Sequence, residues 1–156
     1  MSEKARRYKG RIELLIEELE RMSSIFDEEI TINSLYAVEK MAEEALKVIS
    51  PAVEYVNKLS ELSNKHGGLE TLEKRMPEAA KDLYLLAGPI LDTCSYLSRL
   101  KASSEFHRRR LESFGRKELK QDLPYLFIEM EEFKEVNRTK LKYRIKILKY
   151  LIRLLS

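Results

Sequence analysis

The sequence predicts an all-α fold, a bundle of five to seven antiparallel helices. Apolar residues recur in steps of three and four along most of the chain, and no segment sustains period-two alternation. Glycine (5) and proline (4) are too scarce for a loop-rich β-sandwich or a glycine-punctuated α/β fold. A hydrophobic share of 44% beside 35% charged residues supplies a core and argues against disorder. The 156 residues suit a single domain over 1–156, with mildly acidic helices at 1–66 and a basic half at 77–156.

Ala5, Tyr8, Ile12, Leu15, Leu19, Met22 and Phe26 form an a/d seam, so a first helix is expected over 3–26. Asp27, Glu28 and Glu29 break it. Leu35, Val38, Ala42, Ala45 and Ile49 give a second helix, about 31–49. Ser50-Pro51 reads as a cap followed by proline at the first helical position, starting a third helix at 51–65 on Val53, Val56, Leu59 and Leu62. The run Asn64 to Gly68 ends it with residues that accept positive φ. A short helix over 69–75 precedes Pro77. Ala80, Leu83, Ala87, Ile90, Cys94 and Leu97 then keep one phase across Gly88-Pro89, which predicts one kinked helix reaching about Ser113, with Gly115 as its stop. Pro124 opens the next helix, on Leu126, Phe127, Met130 and Phe133. Asn137 is placed to cap the last one, whose stripe is Leu141, Ile145, Leu148, Ile152 and Leu155. This basic final helix is free to protrude from the bundle. Stripes of this kind need partners, and a second copy of the chain is one source.

The net charge of +3 hides an asymmetry. Residues 1–78 carry 12 Lys and Arg against 16 Asp and Glu, a balance of −4; residues 79–156 carry 17 against 10, a balance of +7. The last twenty residues hold seven cations and no carboxylate. A basic end on an acidic body points to an anionic partner. Gln121 is the only glutamine and tryptophan is absent, a composition expected of a thermophilic, archaeal source. The longest uncharged runs, Ile30–Val38 and Leu83–Leu91, are too short to span a bilayer, and Met1 to Lys4 lead straight into a charged pattern with no secretory signal. A cytoplasmic location is expected.

Little points to catalysis. The single cysteine, Cys94, excludes an internal disulfide and any multi-cysteine zinc site, and its place on an apolar stripe suits a small buried hydrophobe. His66 sits beside two glycines as a helix-end residue. His107 lies in His107-Arg108-Arg109-Arg110, where adjacent cations keep it neutral, and no nucleophile or orienting acid stands near it in sequence. The pairs Glu17-Glu18, Glu39 with Glu43, and Glu131-Glu132 read as solvated helix faces. No phosphate-cradling glycine loop is present. The expectation is no enzyme, no catalytic or metal-binding residue, and no cofactor.

Tyr8-Lys9-Gly10-Arg11-Ile12-Glu13, then Ser34 to Val38 and Glu43 to Leu46, resemble the first two helices of HEPN-type proteins, small helical nucleases and nucleotide-binding partners of prokaryotic defence systems. The resemblance implies an all-helical defence protein. The family's arginine–histidine signature has its nearest counterpart in Arg99 and His107, which stand too far apart, so the resemblance implies no nuclease site here.

The basic end carries the positive reading. On the last helix Arg138, Lys142, Lys146, Lys149 and Arg153 fall within an arc of about 80°, bordered by Tyr143 and Tyr150. Upstream, Arg108, Arg109, Arg110, Arg116, Lys117 and Lys120 cluster with His107, Phe106 and Phe114. Cations that track phosphates, with rings nearby for stacking, are the makings of a nucleic-acid backbone site. The expected function is a small non-catalytic subunit that binds DNA or RNA within a larger assembly. In size and charge it resembles the small helical subunits of CRISPR effector complexes. The alternatives are an adaptor docking on a partner protein or on itself through a/d seams, and a HEPN-like defence protein lacking the motif. A membrane surface, met by Leu151, Ile152, Leu154 and Leu155, ranks below these.

Overall fold

A computed structural model describes residues 2–113 and 123–156. Its helices are α1 (Glu3–Arg6), α2 (Lys9–Ile25), α3 (Ile32–Lys65), α4 (Leu69–Arg75), α5 (Pro77–Glu112) and α6 (Leu123–Leu155). Among the described residues there is no strand, and the architecture is the all-α bundle that the periodicity predicts. No helix among them is long and apolar enough to cross a membrane.

The first seam is buried as expected: Ala5, Ile12, Leu15, Leu19, Met22 and Phe26 are all but inaccessible. The helix itself is interrupted at Arg7-Tyr8. The Tyr8 amide donates to Ala5 at 3.1 Å, a tightened turn, and the helix resumes as Ile12 donates to the Tyr8 carbonyl at 2.9 Å. Two contacts draw this first turn toward α3 and α5. Ser2 donates to Asp82, and the Tyr8 ring stacks on Tyr55 at 5.2 Å.

Thr31 and Ser34 cap α3 reciprocally: Thr31 Oγ1 accepts from the Ser34 amide at 3.1 Å, and Ser34 Oγ from the Thr31 amide at 2.6 Å. The expected break at Ser50-Pro51 does not occur; α3 is one helix with Pro51 inside it. An internal proline costs about 3 kcal/mol. Continuity keeps Ala45, Ile49, Ala52 and Val56 on one buried face, and burying a Val or Ile side chain contributes about 1.5–3 kcal/mol. In the turn that Pro51 loosens, the Val48 carbonyl accepts from Arg11 at 3.4 Å. Gly67 and Gly68, at φ 88° and 127°, then end the run in conformations that side chains resist.

The α5 helix runs through Pro89, as the kept phase predicts, and its contact with α3 is the most extensive in the bundle. The last two expected helices are one. Asn137 is no cap: it is buried inside α6, donating Nδ2–H to the Phe133 carbonyl at 2.8 Å and accepting from the Tyr96 hydroxyl at 2.9 Å. The inward stripe of α6 is also rotated from the predicted one. Leu126, Met130, Phe133, Asn137, Leu141, Arg144, Leu148, Leu151 and Leu155 are buried, whereas Ile145 and Ile152 are half-buried and Phe127 is 61% exposed. An apolar-only reading skips the two polar positions, Asn137 and Arg144, that keep the phase. Buried residues recur along α6 from Leu126 to Leu155, so the helix packs against the bundle instead of protruding. Leu151 and Leu155 belong to the core and leave little apolar face for a membrane surface.

Candidate nucleic-acid interface

The ten cations expected to meet nucleic acid have three different fates. The first is internal pairing. Arg108 forms a bidentate pair with Glu39 of α3, Nε to Oε2 at 2.6 Å and Nη2 to Oε1 at 3.1 Å, and donates to Glu112 at 2.8 Å. Its guanidinium also lies over the Tyr36 ring at 5.5 Å. The hydrogen bonds to Glu39 and then Glu112 raise its pKa, so it is firmly charged and firmly held. Arg109 pairs with Glu105, one turn back, at 2.6 Å. Arg110 donates to Glu129 of α6, and this bond holds the Glu129 carboxyl below its usual range. Arg138 reaches Asp27 at 2.8 Å and Glu135 at 3.4 Å.

The second fate is exposure. Among the described residues, Lys142, Lys146 and Arg153 meet no ion-pair partner, and Lys149 has only a long one, 3.7 Å to Glu20. These four line a shallow groove of about 350 Å³ together with Ile145 and Tyr150. Tyr143 and Tyr150 stand 60% and 58% exposed beside it. The third fate concerns Arg116 and Lys117, which lie outside the described residues, as do Phe114 and Lys120.

His107 does not join a basic surface. Its ring packs edge-on against Phe106 and Phe133, at 5.4 and 4.7 Å, and Nδ1 is buried with no partner among the described residues. Burial is the main cause of its lowered pKa; Glu129 opposes the shift and Arg110 adds to it. The adjacent cations invoked from sequence are thus a minor cause.

Much of the charge asymmetry is resolved inside the fold. Arg108 with Glu39, Lys101 with Glu43, Arg138 with Asp27 and Lys149 with Glu20 each join a cation of the second half to an acid of the first. Such pairing is invisible in a linear count.

Two polar constellations escaped the sequence reading. Arg144, buried on α6, pairs with Asp92 at 3.1 Å and lies over the Tyr96 ring at 4.2 Å. Its signal is the spacing 137-141-144-148, visible once a polar residue is allowed on the inner stripe. Asp82 is 1% exposed and accepts from the hydroxyls of Ser2 and of Tyr55, the latter at 2.6 Å, while its other oxygen is buried with no partner among the described residues. Burial and then the bond to Asp82 raise the Tyr55 pKa. These residues edge a cavity of about 590 Å³ whose rim carries Lys4 and Arg7. No sequence spacing relates Ser2, Tyr55 and Asp82, which come from three separate segments. Among the described residues, no cluster of His, Cys, Asp or Glu is arranged to hold a metal ion.

The chain matches no protein-family model, no curated protein and no solved structure. The functional reading therefore rests on this geometry.

Proposed function

We propose that the chain is a small non-catalytic helical subunit that binds nucleic-acid backbone through the C-terminal half of α6. The observation that carries this is the groove of Lys142, Lys146, Lys149 and Arg153, three of which meet no carboxylate among the described residues. Like charges one turn apart repel by a few tenths of a kcal/mol per pair, so helix stability does not account for them. Tyr143 and Tyr150 supply exposed rings on which bases can stack. Arg108, Arg109, Arg110 and Arg138 serve the fold in this reading, which narrows the contact surface to α6. The non-catalytic part rests on His107, whose ring is wedged between two phenylalanines, and on Arg99, about 12 Å away along the helix axis.

Titration of a labelled single strand across a salt series tests the proposal. Four phosphate contacts give a slope of log K on log salt of about −3, and Lys146→Ala flattens it by about 0.7. Arg109→Ala leaves the slope unchanged. Absence of binding at low salt overturns the reading.

A second reading, an assembly protein, is favoured by the exposed apolar side chains of α6: Tyr125, Phe127, Ile128 and Val136 are 48–66% exposed.

A further inference from the structure

The outward face of α6 is divided by charge. Ile128, Glu132, Glu135, Thr139, Lys142 and Lys146 follow one another at steps of four and three, all exposed. They therefore form one straight row opposite the buried stripe. The row is acidic before Thr139 and basic after it. Among the described residues, Glu132, Lys142 and Lys146 meet no ion-pair partner, and Glu135 meets Arg138 only at 3.4 Å. Val136, Tyr143 and Tyr150 flank the row, and Ile128 begins it, with exposed apolar surface.

We infer that this face is self-complementary and that its occupant is a second copy of the same helix, running antiparallel. With the two-fold axis near Thr139, Glu132 of one copy lies opposite Lys146 of the other, and Glu135 lies beside Lys142. Ile128 meets Tyr150. A parallel arrangement would set acid on acid and base on base, so the charges select one orientation. The interface is isologous, and each cross-pair occurs twice. Its charged row is exposed and salt-sensitive, while the flanking apolar residues supply burial. One consequence rests on the proposed function. Self-pairing and nucleic acid both require Lys142 and Lys146, so the acidic half of the partner helix occupies the groove until a polyanion displaces it.

Light scattering after size exclusion of the full chain at low ionic strength tests the pairing. Wild-type protein should run at twice the monomer mass. Lys142→Glu with Lys146→Glu makes the row uniformly acidic, and Glu132→Lys with Glu135→Lys makes it uniformly basic. Each pair of changes should weaken self-association about tenfold, since every reversed contact is met twice. A one-to-one mixture of the two variants should form heterodimers. The chain carrying all four changes should regain the homodimer, a rescue that a folding defect cannot mimic. A wild-type monomer at every concentration, or a failure of both rescues, overturns the inference. Adding a single-stranded oligonucleotide separates the two proposals. A dimer that ignores it sinks the nucleic-acid reading and leaves the pairing standing, whereas a monomer that binds it does the reverse.

Discussion

At the level of single residues, the buried polar groups make the sharpest demands. Tyr96 is 3% exposed and its hydroxyl is the donor to Asn137 Oδ1, also buried. Tyr96→Phe removes the donor and leaves the acceptor dry, so chemical denaturation should show a loss of about 1–3 kcal/mol. Trimming an exposed surface residue such as Lys146 should change stability by less than about 0.5 kcal/mol. His107 adds a pH dependence of known sign. Its pKa lies below the ordinary 6.5 in the folded chain, so the unfolded chain binds the proton more readily. Stability is then complete above pH 6.5 and declines as pH falls toward the depressed folded value. Urea midpoints between pH 7.5 and 5 should fall in wild type and fall less in His107→Phe, which keeps the ring packing. Glu129 acts in the same direction but lower, below its ordinary value of 4.5, as acid removes the charge that Arg110 holds.

At the level of elements, the chain rewards patience with phase and punishes trust in single punctuating residues. The α5 helix was legible through Pro89 because Ala80, Ile90 and Leu97 keep one face. The same argument applies to α3, where Ile49, Ala52 and Val56 continue past Pro51, but the Ser-Pro pair reads locally as a start. Asn137 misled in the same way, because its side chain suits a cap and its hydrogen bond to Tyr96 is a tertiary contact. Pro51→Ala restores an amide donor inside a helix and should stabilise the protein by about 1–2 kcal/mol, some of the gain being offset by a freer unfolded chain. The rotated stripe of α6 has its own test. Leu151→Ala should cost about 2–5 kcal/mol, and Ile152→Ala distinctly less, whereas the apolar-only stripe requires the reverse.

At the level of the molecule, the helical architecture and most of its core were readable from spacing, and the candidate site only in part. The expected cations of α5 and α6 are partly spent inside the fold, some of them on acids more than sixty residues away in sequence. Glu39 takes Arg108 and Asp27 takes Arg138 across α-helical faces that no local pattern connects. These links join α5 to α3, and α6 to the turn after α2, so high salt should lower the unfolding midpoint modestly, while the proposed polyanion binding should be lost far more steeply.

The opening turn of the chain bears on how the molecule breathes. Ser2 and Tyr8 are the ties that hold it over Asp82, one by a hydroxyl and one by a stacked ring. Each time those ties release, water gains access to a carboxylate oxygen that has no donor among the described residues. Deuterium uptake at the amides of residues 3–8 should outpace that of α2, and Tyr55→Phe should quicken it by loosening the far side of the same carboxylate.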